Sequence, residues 1–437
     1  MTPGTAVDKN QRINPQMLRA LATICLLLSV GLNMTLLRGG SYLPTGLQGV
    51  FVGDVLFFGS AALGTYLAFR EQIRLPMGIT VLWIASIIYI LLQFVRSGLD
   101  GNDPFATLRD LSTFVYLLAL PGVTYVLTTI ANRTVLLLVR VFTTGLALWL
   151  ALLFAGIDLS SLGNAIWANL FSLNADTAGA VLAIGIVAWG RDLDLQGFAP
   201  AQIFIGAIGL LLQSRIASVL VIGGLVVALT ATATSRRKTT QVGIGVVAVL
   251  TSILLSDVLI GQTVNRTTDQ PLPGISRSVQ VFLETDEAAQ SRGTVEARFD
   301  TWSDVLVYTQ TWPRPLVGQG PGSSAFVDSC AGACEVAGGD DALRYPHNIV
   351  LTLLLYHGAA GLLLGLGWLV VIAHSLLQRH LRPIQWVGII VFPAAALFGV
   401  VLESPFGLIP WVFFLSWALA QPLRSADTVT RTDTSTP

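Results

Sequence analysis

The stretch RFDTWSDVLVYTQTWPRPLVGQGPGSS, residues 298–324, and the short RYPHN, residues 344–348, interrupt a chain that is otherwise apolar. Together they hold Arg298, Arg314, a glycine-rich turn at Gly318, Gly320 and Gly322, Arg344, and His347 followed by Asn348. A long apolar run begins immediately after Asn348. Polar groups gathered this densely beside lipid-length apolar runs point to a chemical site at a membrane surface.

The composition agrees. Of the 437 residues, 53% are hydrophobic and only 11% are charged, against roughly 25% charged in a soluble protein. Repeated apolar runs of bilayer-spanning length predict a polytopic membrane protein. The runs do not alternate in the two-residue rhythm of a barrel, so the spans must be helices with internally satisfied backbone. The fold expected is all-α, with about twelve transmembrane helices near 16–37, 49–69, 75–94, 110–130, 134–156, 175–190, 198–213, 216–233, 241–261, 349–373, 384–402 and 405–421. Formal net charge is zero, which gives no electrostatic case for nucleic acid. No cofactor is expected.

Basic residues set the orientation. With residues 1–15 in the cytoplasm, the inner segments carry Lys9, Arg12, Arg19, Arg70, Arg74, Arg133, Arg191, Arg236, Arg237, Lys238, Arg379, Arg382, Arg424 and Arg431. The short outer loops carry only Arg38, Arg96, Arg109 and Arg215. That is the positive-inside bias. The organisation that follows is a cytoplasmic tail at 1–15, nine spans over 16–261, one large extracytoplasmic loop at 262–346 between the ninth and tenth spans, three further spans over 347–421, and a cytoplasmic tail at 422–437.

Inside the loop, Val295, Phe299, Trp302 and Leu306 recur at helical spacing and predict a helix near 294–311. PRPLVGQGPG then enforces turns. Its backbone amides could approach an anion, or the turn could simply join two helices. Cys330 and Cys334, in CAGAC, are a plausible disulfide if the loop is extracytoplasmic. No second pair of ligands accompanies them, so a metal site is not expected.

His347 is the candidate base, since imidazole exchanges a proton near neutral pH; a helix-capping role is the competing reading. Arg215 breaks two apolar runs in QSRIAS. It either snorkels to headgroups or contacts an anion. Arg298 is either a surface ion pair or, with Arg215, one half of a clamp on a diphosphate. Asp54, in FVGDVLFF, is an intramembrane acid that could pair with a cation or bind a proton or ion. Glu403, in LESPFG at the last outer turn, is either a supporting group or an ordinary interfacial carboxylate. His357, in YHG, points at the same site or away from it, depending on where the helix breaks at Gly358 or Gly361.

These motifs resemble the O-antigen ligase and Wzy-type polymerase superfamily of bacterial envelope enzymes. The shared pattern is an SR-containing break between mid-chain spans, R-x3-W in RFDTW, the PRPLVGQGPG turn, and PHN leading into LTLLLYHGAAGLLLG. The resemblance implies a metal-independent glycosyltransferase of the bacterial plasma (inner) membrane. It would move a glycan from an undecaprenyl-diphosphate carrier to a hydroxyl of an acceptor glycan, glycolipid or protein. Arg215 and Arg298 would hold the diphosphate and His347 would deprotonate or orient the acceptor, with Asn348, Gly318, Gly320, Gly322, Glu403 and Asp54 as possible supporting residues. The alternative is a secondary transporter centred on Asp54, although no internal repeat supports it. A non-catalytic envelope scaffold is a third reading.

Overall fold

The computed structural model describes residues 14–46, 50–72, 75–155, 157, 174–190, 200–212, 214–232, 300–329, 346–379, 381–399 and 401–432. Arg298, Arg344, Cys330, Cys334, the expected ninth span and most of the long loop lie outside them, as does nearly all of the N-terminal tail.

The described residues are helical apart from turns and one isolated bridge between Pro44 and Phe51. The helices are α1 (Pro15–Thr35), α2 (Leu37–Ser41), α3 (Val52–Arg70), α4 (Met77–Leu99), α5 (Pro104–Asp110), α6 (Ser112–Leu117), α7 (Leu120–Thr128), α8 (Asn132–Phe154), α9 (Ala175–Gly190), α10 (Pro200–Leu210) and α11 (Arg215–Thr232). After the gap come α12 (300–309), α13 (Arg314–Val317), α14 (Ala325–Ser329), α15 (Ile349–Leu377), α16 (Pro383–Ala396) and α17 (Pro405–Thr432). Among the described residues α1, α3, α4, α8 and α15 are each long and apolar enough to cross a membrane. The protein is a multi-pass helical membrane protein.

The ends are set locally. Asn14 caps α1 ahead of Pro15, and Asp103 caps α5 ahead of Pro104. Asn348 accepts from the amides of Val350 and Leu351 at the start of α15. The peripheral helices bury one stripe only. In α4, Ile79, Ser86, Ile90, Gln93 and Ser97 face inward while Val81, Ile84, Ile88, Leu91 and Val95 face out. An apolar outward stripe suits lipid rather than water.

The centre is made differently. Residues 177–188 of α9 and 406–420 of α17 are buried all round. Small residues permit the closeness: a Cβ on Gly179 would overlap Ala217 of α11, and one on Gly122 of α7 would overlap Ala61 of α3.

Two expectations need correction. The single span expected at 110–130 is a chain of short helices that begins at Pro104 and bends by 65° between α5 and the α6–α7 segment. Asp54 is not deep within a span: α3 begins at Val52, so Asp54 sits in its first turn, where a carboxylate suits the helix dipole, and it accepts from the Tyr116 hydroxyl. Its partner is therefore a phenol, not a cation.

The two ends of the bundle differ in chemistry. At one end Arg19 pairs with Glu71, and Arg379 donates to the carbonyls of Ala418 and Leu419. The other end gathers Arg96, Asp110, Glu403, His347 and the 300–329 segment.

Candidate functional site

The site is organised by a break in α15. Gly358 has φ +61° and ψ −161°, which interrupts the helix and prevents the usual bonding of the carbonyls just before it. The glycine turn of the loop supplies the missing donors. The Gln319 amide donates to the Leu355 carbonyl at 2.8 Å, and the Gly320 amide donates to the Tyr356 carbonyl at 3.0 Å. A buried carbonyl left without a partner would cost about 1–3 kcal/mol, so the turn and the break stabilise one another.

Only glycine fits where they meet. Gly318 also has positive φ, +65°. A Cβ on Gly318 would overlap the backbone of Tyr356 and His357, and one on Gly358 would overlap Gly318 and Leu316. The glycine turn is thus a plug for a broken helix. Its Gly322 amide is taken as well, donating to the Asp110 Oδ2 carboxylate oxygen at 2.7 Å. The expectation that these amides might face an anion is corrected for Gln319, Gly320 and Gly322, each of which donates to a protein acceptor.

Side chains of α4 and of its link to α5 fix the turn from the other side. Arg96 donates to the carbonyls of Val317 (2.6 Å) and Gly318 (2.9 Å), and Asn102 donates to the Pro321 carbonyl at 3.1 Å. The bend that ends α5 at Asp110 brings the Asp110 carbonyl to 3.0 Å from His357 Nε2. His357 is fully buried, against Phe114 and Tyr89. It points into the α4–α6 wedge, and its ring Nδ1 has no hydrogen-bond partner.

His347 lies at the exposed side of this arrangement. Its φ is +53°, a left-handed conformation that histidine adopts more readily than most residues. It is partly exposed and directly precedes the capping residue Asn348. Asn348 is therefore a helix cap, and His347 lies just outside the helix. The α12 helix holds this corner: Trp302 Nε1 donates to the Pro346 carbonyl at 2.7 Å, and its ring meets Phe398 with centroids 6.3 Å apart. Val305 of α12 packs with Phe326, Leu351, Leu355 and Tyr356. The buried face of α12 is Trp302, Val305 and Thr309, so Leu306, expected on that face, is exposed instead.

The turn bearing Phe398 also meets the start of α11. A Cβ on Gly399 would overlap the Asp176 carboxylate, which accepts from Ser214, and Ser214 Oγ accepts from the Ala217 amide. Arg215 is the first residue of α11. A continuous chain of contacts thus runs from Pro346 through Trp302 and Phe398 to the residue before Arg215. Arg298 precedes Trp302 by four residues and lies outside the described residues.

Glu403 stands on the same turn, 5% exposed, with neither carboxylate oxygen hydrogen-bonded. Burial pushes its carboxyl up to about 8; the nearby Thr352 hydroxyl opposes that shift and the Asp110 carboxylate adds to it. It is a neutral acid over most of the physiological range. Asp54, bonded to Tyr116, is not among the residues that this corner brings together.

Sequence reasoning missed Arg96 and Asp110 as parts of the site. The one signal was the polar run RSGLDGNDP (residues 96–104) at the end of an apolar segment. No group of three or more His, Cys, Asp or Glu suited to a metal occurs among the described residues.

No curated protein matches the chain. The family described as O-Antigen ligase (Wzy_C) matches residues 201–366, from α10 through the broken first half of α15. That span contains the Arg215 helix start, the glycine plug, His347 and the Gly358 break, and over it the chain is similar to the O-antigen ligase family.

Proposed function

We propose that the protein transfers a glycan from an undecaprenyl-diphosphate carrier to a hydroxyl of an acceptor glycan, glycolipid or protein, at the extracytoplasmic face of a bacterial plasma membrane. The observation that carries this reading is the corner built on Trp302. It joins the backbone beside His347 to the turn that meets the start of α11, the helix that Arg215 begins, and this supports a reading in which both residues serve one site.

In this mechanism the acceptor oxygen attacks the anomeric carbon while His347 takes the hydroxyl proton. The bond from that carbon to the carrier's diphosphate breaks, and the diphosphate leaves with both electrons. Arg215 and Arg298 offset its charge, and the configuration at carbon inverts. The carrier supplies the leaving group, so neither nucleotide nor metal is needed. The long loop at 262–346 and the tails at 1–15 and 422–437 take the topology that the basic residues indicate, with both termini cytoplasmic. Asp54 has no part in the chemistry.

The test is transfer by purified protein in lipid, using an undecaprenyl-diphosphate-linked oligosaccharide and candidate acceptors with chelator present. His347→Ala should lower the rate by about 10²–10⁴-fold without loss of carrier binding. Arg215→Ala and Arg298→Ala should weaken binding of the carrier. Full activity in His347→Ala would remove the proposed base, and carrier binding unchanged in both arginine variants would remove the clamp.

A further inference from the structure

The segment after Trp302 has a surface that the site does not use. Val305, Ala325 and Phe326 hold it against α15. On the far side Leu306, Val307, Trp312, Leu316 and Val317 are all exposed, Trp312 at 71% and Val307 at 64%. Large apolar side chains concentrated in this way are unusual on a water-facing surface.

Two features say what covers them. The first is continuity. Arg96, near the end of α4, grips the carbonyls of Val317 and Gly318. The outward stripe of α4, which faces lipid, extends past that point through Val95 and Leu99, and Phe105 and Leu108 of α5 are exposed beyond it. The apolar surface does not stop where α4 stops; it runs onto the loop.

The second is a gradient along α12. Asp300, Ser303 and Asp304, in its first half, are exposed and polar. The exposed apolar residues follow at its second half and in the turn beyond, with the exposed Gln310 and Thr311 between them. A helix apolar along one whole side would lie flat on a core, whereas one that is polar at its start and apolar at its end suits a tilted path from water into an interface. Tryptophan favours that interface because its ring is apolar and its N–H stays near water.

We propose that Leu306, Val307, Trp312, Leu316 and Val317 dip into the bilayer leaflet beside the site, so that this part of the loop is a membrane-embedded element. The reading needs only that α4 spans the bilayer, and it stands apart from the transfer reaction. One consequence is that the glycine plug and His347 are held at a fixed height over the lipid by the leaflet as well as by Arg96.

The test uses the full chain in phosphatidylcholine vesicles. A nitroxide is placed at Trp312→Cys, and separately at Asp304→Cys, with the three native cysteines changed to serine. Accessibility to oxygen, which partitions into lipid, is compared with that to a water-soluble nickel chelate. At position 312 oxygen should reach the label severalfold better than nickel, with the order reversed at 304. Nickel access at 312 equal to that at 304 would place the patch in water and overturn the proposal. Exclusion of both reagents would also overturn it, by showing cover from this chain's own loop or from a second copy. As a check free of labelling, brominated lipid should quench wild-type tryptophan fluorescence more than that of Trp312→Phe; equal quenching would count against the proposal.

Discussion

The indole N–H of Trp302 donates to the carbonyl of Pro346 at 2.7 Å, one residue before the candidate base His347. This bond ties a loop helix to the start of α15, and Trp302 anchors that helix beside His347.

Trp302→Phe keeps the ring's bulk and removes the bond, worth about 1 kcal/mol net, or roughly fivefold in rate if the bond orients His347. We expect a fall of that order in single-turnover transfer with little change in melting temperature. Trp302→Ala should also loosen the Val305, Phe326, Leu351 and Tyr356 cluster, with a stability loss of about 3–5 kcal/mol. A wild-type rate for Trp302→Phe would show that the bond does not position the base.

Gly318→Ala and Gly358→Ala should each destabilise the protein, by about 2–4 kcal/mol. Both positions have positive φ, costing about 1–2 kcal/mol with a side chain, and both abut backbone that cannot yield. Thermal unfolding in detergent reads the effect. Gly59→Ala and Gly223→Ala are the controls, since an added Cβ meets nothing there and alanine is the better helix former. Parity of all four variants would refute the plug.

Asp110 should rank by what remains to receive the Gly322 amide. Asn retains an uncharged acceptor, while Ala leaves a buried N–H unsatisfied at a cost of about 1–3 kcal/mol. The expected order of stability is wild type, then Asp110→Asn, then Asp110→Ala. If Asp110→Ala melts with wild type, the carboxylate is not what secures the turn.

Glu403 makes stability depend on pH. Its carboxyl is pushed up from 4.5 to about 8 by burial, so the folded state holds a proton that the unfolded chain gives up. Stability is greatest below pH about 4.5, declines as pH rises through about 8, and then levels. Glu403→Gln should flatten this decline and raise the melting temperature at pH 9. A profile for Glu403→Gln that parallels wild type would sink the assignment.

The apolar runs by themselves determined that the chain is a bundle of membrane helices. Lipid leaves backbone no other way to satisfy its hydrogen bonds, so composition and run length suffice. Among the described residues the chain is helical, as the all-α expectation has it, and the start of α15 was legible because the apolar run begins right after Asn348. The family resemblance was legible for a similar reason: its motifs are glycines, prolines and a histidine at fixed spacing. What the sequence could not show was which residues those motifs serve. Gly318 and Gly358 lie forty residues apart, yet a side chain on either would strike the backbone at or beside the other. The bend at Asp110, the burial of His357 and the neutrality of Glu403 likewise depend on helices packed from distant parts of the chain. Hydropathy reports the solvent that a segment prefers. Tertiary packing decided which helices are enclosed, and it set the glycine amides against the carbonyls of a broken helix.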